Sequence, residues 1–330
     1  MMGMWRGLTA AAVVASCLAV VSPAQAATPK QLLARYQPVT VMDPLEPFRP
    51  TDVNGFVSDS VLERQTAPGV WNQIDGNPSL GSLPTGASPG YRLNQQDCSP
   101  AGGPVGNVSC YESSWLATTS ENVVYGRVAY RPERIVLQYW YFYYDDVYSY
   151  DYPPDDLLWQ AHEGDWEVVN VVLRRSDQRP LYAAYSQHCT GERRTWGDVE
   201  RRGTHPVDHV AVGSHANLFE AGSHPIATQC IPPQAIAILQ GYGLPLPVDR
   251  SGANGAELGP ALPGLKHTAI RRVDRRRTPW IAFAGYWGED EAFHGPDPIG
   301  TVTAGPAPLS PGLHSVWLTP IAVTSHWPVG

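Results

Sequence analysis

The sequence predicts a mainly β fold, an antiparallel β-sandwich with long Gly/Pro-rich loops and a few short helices. Three observations carry this expectation. β-Branched and aromatic runs recur, as in Val168 to Leu173 and Tyr139 to Tyr144, and such residues favour strands. The 31 glycines and 32 prolines among 330 residues suit turns and loops without reaching the level of a disordered chain. No internal repeat and no second apolar unit interrupts residues 27–330, so one domain with loop insertions at about 64–120 and 231–265 is expected.

Taken in order, the chain opens on a secretory signal. Arg6 is a short positive region, Leu8 to Val21 is apolar, and Ala24-Gln25-Ala26 is a small-x-small cleavage site. Val14-Ala15-Ser16-Cys17 also resembles a bacterial lipobox, which makes lipid attachment at Cys17 the alternative. The apolar run is too short for a spanning helix, so a secreted protein without a transmembrane segment is expected. Gln31 to Arg35 reads as a short helix and Tyr36 to Val41 as a strand stopped by Asp43-Pro44. Asp52 to Glu63 reads as a second helix capped by Thr51 or Asp52. Residues 64–110 read as a long loop, with a formal glycosylation sequon at Asn107-Val108-Ser109. Asn122 to Tyr130 and Arg134 to Tyr144 read as paired strands, followed by an acidic, Tyr/Pro-rich loop to Asp156. Val168 to Leu173, Pro180 to His188 and Val207 to Val212 are the next strands, with a polar loop over Thr190 to Thr204. A helix at Pro233 to Leu239 and a last strand at Trp280 to Phe283 complete the reading.

The formal net charge of −8 becomes −9 when Arg6 leaves with the signal. That balance argues against nucleic acid, whose binding depends on clustered Lys and Arg. Four cysteines remain after cleavage: Cys98, Cys110, Cys189 and Cys230. An even number in an exported chain implies two disulfides, with three connectivities open. Cys98–Cys110, which closes a Gly/Pro/Asn/Ser loop, and Cys189–Cys230 are favoured.

The chemistry concentrates in His162-Glu163-Gly164-Asp165-Trp166-Glu167. Strand alternation places Asp165 and Glu167 on one face with Val169, Val171 and Leu173. Two carboxylates that close repel one another, and burial raises the cost of both charges. A divalent cation with His162 as a further ligand resolves this; arginine partners are the competing structural explanation. His162, His188 and His215 all sit at strand ends or just beyond, so they converge if those strands are neighbours. A lone histidine is more often a structural hydrogen bonder, but three beside two carboxylates favour a site. The aromatic run Tyr139 to Tyr144 reads first as core packing and second as a platform for a sugar or membrane interface.

Several segments occur in order and resemble a known family: Arg35-Tyr36-x-Pro38, Glu46-Pro47-Phe48-x-Pro50, Leu137 to Tyr143, His162 to Glu167, Ser186-Gln187-His188, Gly213 to Asn217 and Gly285-Tyr286-Trp287-Gly288. Together they are similar to proteins related to the vacuolar protein sorting-associated protein 62 family, which has no settled activity. The hexapeptide is more distantly similar to the Gly-His-Arg-His-Asp-Trp-Glu motif of necrosis- and ethylene-inducing secreted proteins. That resemblance implies a β-sandwich with a divalent cation at its rim. His162, Asp165 and Glu167 match motif positions, and Asp145 follows Trp140-Tyr141-Phe142 where that family has a further aspartate. Ala161 replaces the motif's glycine and Glu163-Gly164 replaces Arg-His, which puts the cytolytic activity in doubt.

Three functions follow as expectations. The first is a secreted metal-binding protein, with Asp145, His162, Asp165, Glu167, His188 and His215 as candidate ligands and a membrane lipid headgroup or glycan as partner. Hard oxygen ligands favour Mg²⁺ or Ca²⁺, with Zn²⁺ in reserve. The second is a metal-dependent hydrolase of an ester or phosphodiester, with His188 or His215 as acid/base. No Gly-x-Ser-x-Gly, phosphate loop or His-Glu-x-x-His accompanies it. The third is a structural extracellular protein without metal, its carboxylates paired by Arg127, Arg134, Arg174 and Arg175.

Overall fold

Two long strands, Arg134–Tyr152 and Asp156–Arg174, form the hairpin on which the fold is assembled. They belong to a computed structural model that describes residues 26–98, 108–118, 121–152, 156–295 and 300–319. The signal segment up to residue 25, with Cys17, and the sequon residue Asn107 lie outside the described residues. The hairpin pairs in one register from Arg134 opposite Arg174 to Tyr152 opposite Asp156. Residues 145–152 are therefore strand and not the expected loop. Their acidic, Tyr-rich composition looks loop-like, but each arm supplies the other's backbone hydrogen-bond partners.

The fold is mainly β with a few short helices, and the sheets are mixed in place of the antiparallel sandwich expected. Asn122–Tyr130 flanks the hairpin and then takes Lys266–Arg272 as a parallel neighbour. The main sheet continues through Glu257–Gly259 and Val39–Met42 to His205–Val210, which again runs parallel to Val39–Met42. On the hairpin's other side, Pro180–Gln187 and Glu291–Gly295 both pair with Asp156–Arg174. The sheet curls back on itself: Asn217–Leu218 pairs with His205–Val210, and Gln187 donates from its side-chain amide to Asn217 O at 3.1 Å. Parallel neighbours need long crossovers, and no local pattern announces which distant segments will meet that way.

The remaining departures from expectation have local reasons. The second helix ends at Asp59, capped at its start by Asp52, and the extended backbone of Ser60 leads into strand Val61–Ala67. That strand joins Val70–Asp75, Tyr91–Asn94 and Gly285–Tyr286 in a four-stranded sheet, so residues 61–94 are not a plain loop. Helix Val108–Thr118 follows. The polar segment after residue 189 contains strands Thr190–Thr195 and Arg201–Arg202. Residues 231–265 contain helix Pro233–Gly241 and strands Val248–Ser251 and Glu257–Gly259. The expected strand at Trp280 is a 3-10 turn, Pro279–Ala282. Pro279 presets its first φ, and Phe283 N closes on Trp280 O at 2.9 Å. Disulfides join Cys98 to Cys110 and Cys189 to Cys230.

The core is aromatic. Phe142 and Trp166, opposite one another on the hairpin, lie 4.9 Å apart, and Trp287 sits 5.2 and 5.3 Å from them. Phe56 closes the group at 5.0 Å from Phe142. Such pairs add about 0.5–1.5 kcal/mol each beyond their buried area. The run Tyr139 to Tyr144 is fully buried, so it packs the core and offers no exposed platform.

Candidate metal centre

The hexapeptide lies mid-strand, and one residue decides its geometry. Simple alternation would place His162 and its partner Asp146 on the face opposite Asp165 and Glu167. Gly164 interrupts the alternation with φ +57°, a left-handed conformation that glycine adopts without steric cost. Beyond it, His162 and Asp146 come to the same side as Asp165. One ligand atom from each of Asp146, His162 and Asp165 lies within 4.8 Å of the others.

The hydrogen bonds orient these groups. His162 Nδ1 lies 2.8 Å from Gly164 O, a contact that requires Nδ1 to donate. Nε2 is then the lone-pair nitrogen of the neutral ring, and it faces Asp146 Oδ2 at 3.4 Å. Burial pushes the Asp146 carboxyl up. Burial also works to lower His162, but Asp146 and Asp165 outweigh it and raise its pKa. Glu167 is pushed well above the usual carboxylate range, first by burial and then by Asp165; the Ser186 hydroxyl donates to it.

These groups wall a recess of about 310 Å³ that also takes in His188, Ser214 and Glu291, and no Lys or Arg among the described residues lines it. The four arginines of the structural alternative are engaged elsewhere. Arg127 donates to Gln138 Oε1 and Trp317 O and lies 3.9 Å over the Trp317 ring. Arg134 neighbours Glu133, Arg174 pairs with Asp177, and Arg175 donates to Arg131 O.

The six sequence-predicted residues separate into three groups. His162 and Asp165 are in the cluster, and Glu167 is beside it on the recess wall. Asp145 is fully buried with no hydrogen-bond partner on either oxygen; burial, then Glu163 opposite it, pushes its carboxyl well up. Its neighbour Asp146 is the aspartate in the cluster. His188 and His215 stand at the second tier, both with positive φ. His215 is sealed: Nδ1 lies 3.1 Å from Asp165 Oδ2, Nε2 lies 3.2 Å from Glu46 Oε1, and the ring stacks on Tyr143 at 3.8 Å. Burial works to lower its pKa; Glu46, then Asp165, outweigh burial and raise it well above the ordinary value. His188 lines the recess with Nε2 held 2.9 Å from Asp249 Oδ2, and the Ser214 hydroxyl donates to Asp249 Oδ1 at 2.6 Å.

Asp146, Glu46 and Asp249 were not among the sequence candidates. Glu46 lies in a segment quoted for the family resemblance, and Asp146 adjoins a named aspartate. Nothing local distinguishes Asp249. Glu163 turns away from the cluster, accepting from Tyr111 Oη at 2.9 Å and from the backbone of Gln95 and Glu289; burial pushes it up to about 7.

His188 gives a direct check on this geometry. Burial works to lower its pKa, but Asp249 outweighs burial and raises it to about 9. The stabilisation from this pair is fully present below the unfolded value of about 6.5 and is lost as pH rises through 9. In chelator-treated protein, NMR of the ring should show His188 titrating near 9, and Asp249→Asn should bring it down toward 6.5. A midpoint near 6.5 in the unsubstituted protein would break the assignment.

No family model matches the chain, and no curated protein matches it, so the likeness to the vacuolar protein sorting-associated protein 62 family rests on the quoted motifs alone. The chain does show distant structural similarity to solved necrosis- and ethylene-inducing proteins. One is necrosis and ethylene inducing protein 2 from the causal agent of cocoa's witches' broom disease, at 18% identity over 59% of this chain and 69% of that one, TM-score 0.31. Another is NLPPya in complex with mannosamine, at 14% identity over 60% and 71%, TM-score 0.31. A third is the non-toxic HaNLP3 protein, at 14% identity over 55% and 63%, TM-score 0.29. Among the described residues no helix is long and apolar enough to cross a membrane.

Proposed function

We propose that this chain is a secreted divalent-cation protein whose cation is held by Asp146, His162 and Asp165, with Glu167 in support. One observation carries the reading: with Nδ1 bonded to Gly164 O, His162 turns Nε2 to the oxygens of Asp146 and Asp165, a position that takes a proton or a metal. Acceptors that face one another need a proton or a cation between them, and a metal-bound histidine typically donates its other nitrogen in this way. One imidazole among carboxylates suits Mg²⁺ or Ca²⁺ before Zn²⁺. When bound, the cation supplies a fixed positive charge at the recess, where an anionic lipid headgroup or a polyhydroxyl glycan is the chemistry it suits.

The test is elemental mass spectrometry on protein purified without chelator or affinity-column metal, beside Asp165→Asn. One Mg or Ca per chain in the parent and less than a tenth of that in the variant is expected, with a rise in Tm only for the parent on adding the metal. Metal-free parent protein whose Tm ignores every added cation would overturn the reading.

A hydrolase reading has one observation in its favour, the His188–Asp249 pair on the wall of the same recess. With a pKa of about 9, His188 is protonated at neutral pH and would serve as an acid. His215 has no exposed surface and cannot meet a substrate. Turnover of an ester or phosphodiester that falls with His188→Gln would bring this reading forward.

A further inference from the structure

A second concavity lies away from the recess, between helix Pro29–Arg35 and strand Lys266–Arg272. Lys30, Leu33 and Ala34 line it at helical spacing i, i+3 and i+4, with Gln37 just beyond the helix end, and Thr268, Ile270 and Arg272 face them at strand spacing. Its volume of about 540 Å³ falls within the roughly 300–1,000 Å³ of small-molecule sites. Leu33 and Pro260 are buried in its apolar floor and Ile270 is half-buried beside them, while the cationic groups Lys30 and Arg272 and the imidazole of His267 stand at the margin. No Asp or Glu among the described residues lines the groove, although acids outnumber bases 31 to 23 in the chain. Asp274 is within electrostatic reach of Arg272, but neither Arg272 nor Lys30 forms an ion pair among the described residues. The Thr268 side chain is buried, and its hydroxyl has no hydrogen-bond partner. Gln37 holds that residue in place by donating to Thr268 O at 2.8 Å.

We infer that this groove binds a small amphipathic carboxylate, with the head group at Lys30 and Arg272 and the apolar body over Leu33, Pro260 and Ile270. An apolar floor explains affinity for a hydrocarbon. The one-signed margin selects an anionic head group that accepts hydrogen bonds. The inference does not depend on the metal centre.

Isothermal titration with decanoate tests it, beside decyltrimethylammonium as the cationic counterpart. Saturable one-to-one binding of decanoate is expected, at least tenfold tighter than the cation, weakened at least tenfold in Lys30→Glu/Arg272→Glu and unchanged in Asp165→Asn. Ala34→Trp, at an exposed helix position lining the groove, should abolish binding while the fold persists. No saturation, equal binding of the cation, an unaffected charge-reversal variant or loss in Asp165→Asn would each overturn the inference.

Discussion

Gly164→Ala is expected to cost about 2–5 kcal/mol of folding stability, the sum of left-handed strain and a backbone clash. Gly164 has φ +57°, and a methyl group there would run into Trp287 O and meet the rings of Phe142 and Phe56 at 3.3 Å. The obstruction at Trp287 is a carbonyl of the packed backbone, which cannot rotate aside as a side chain can. Urea unfolding of the variant beside Gly203→Ala separates the two contributions. Gly203 has a similar φ of +65° with nothing within 4 Å of a built methyl, so its substitution should show the conformational cost alone, about 1 kcal/mol. Equal losses in the two variants would mean that Trp287 yields freely and that the kink is not fixed by packing. Because Gly164 brings His162 round to Asp165, any folded Gly164→Ala protein should also lose the cation.

His215→Ala is expected to cost about 3–5 kcal/mol, the range for removing one partner from a buried charge network. His215 has no exposed surface, lies 3.2 Å from Glu46 and 3.1 Å from Asp165, and stacks on Tyr143. Truncation leaves two carboxylates without their common cation and opens a cavity against the Tyr143 ring. Glu46 itself stays in place, since it accepts from Phe48 N at 2.8 Å and Gly213 N at 2.7 Å. Adding Glu46→Gln to His215→Ala removes one of the stranded charges, so the double variant should recover about 1–2 kcal/mol. A double variant less stable than His215→Ala would show that charge is not what His215 balances. The two groups link the Glu46-Pro47-Phe48 segment to the hexapeptide across the fold, which explains why both belong to one site.

The alternation of β-branched and aromatic residues determined that the chain is mainly β, because strand periodicity is a local property of composition and sterics. It placed the paired strands at Asn122 and Arg134, marked Val168 to Leu173, and located the short helices at Gln31 and Pro233. The unusual density of ionisable groups from His162 to Glu167 marked the candidate site for the same reason. Pairing between distant segments decided what local pattern does not contain. The parallel neighbours of Val39–Met42 and Asn122–Tyr130, the strand character of residues 145–152 and the strands after Ser60 all depend on which backbone donor meets which acceptor. The identity of the clustered aspartate lay beyond the sequence too. Asp145 and Asp146 are chemically alike and adjacent, and a φ of +57° at Gly164 brings Asp146 and its strand partner His162 to the side of Asp165. Glu46 and Asp249 entered the site only through folding, because a lone carboxylate acquires its role from the histidine it finally meets.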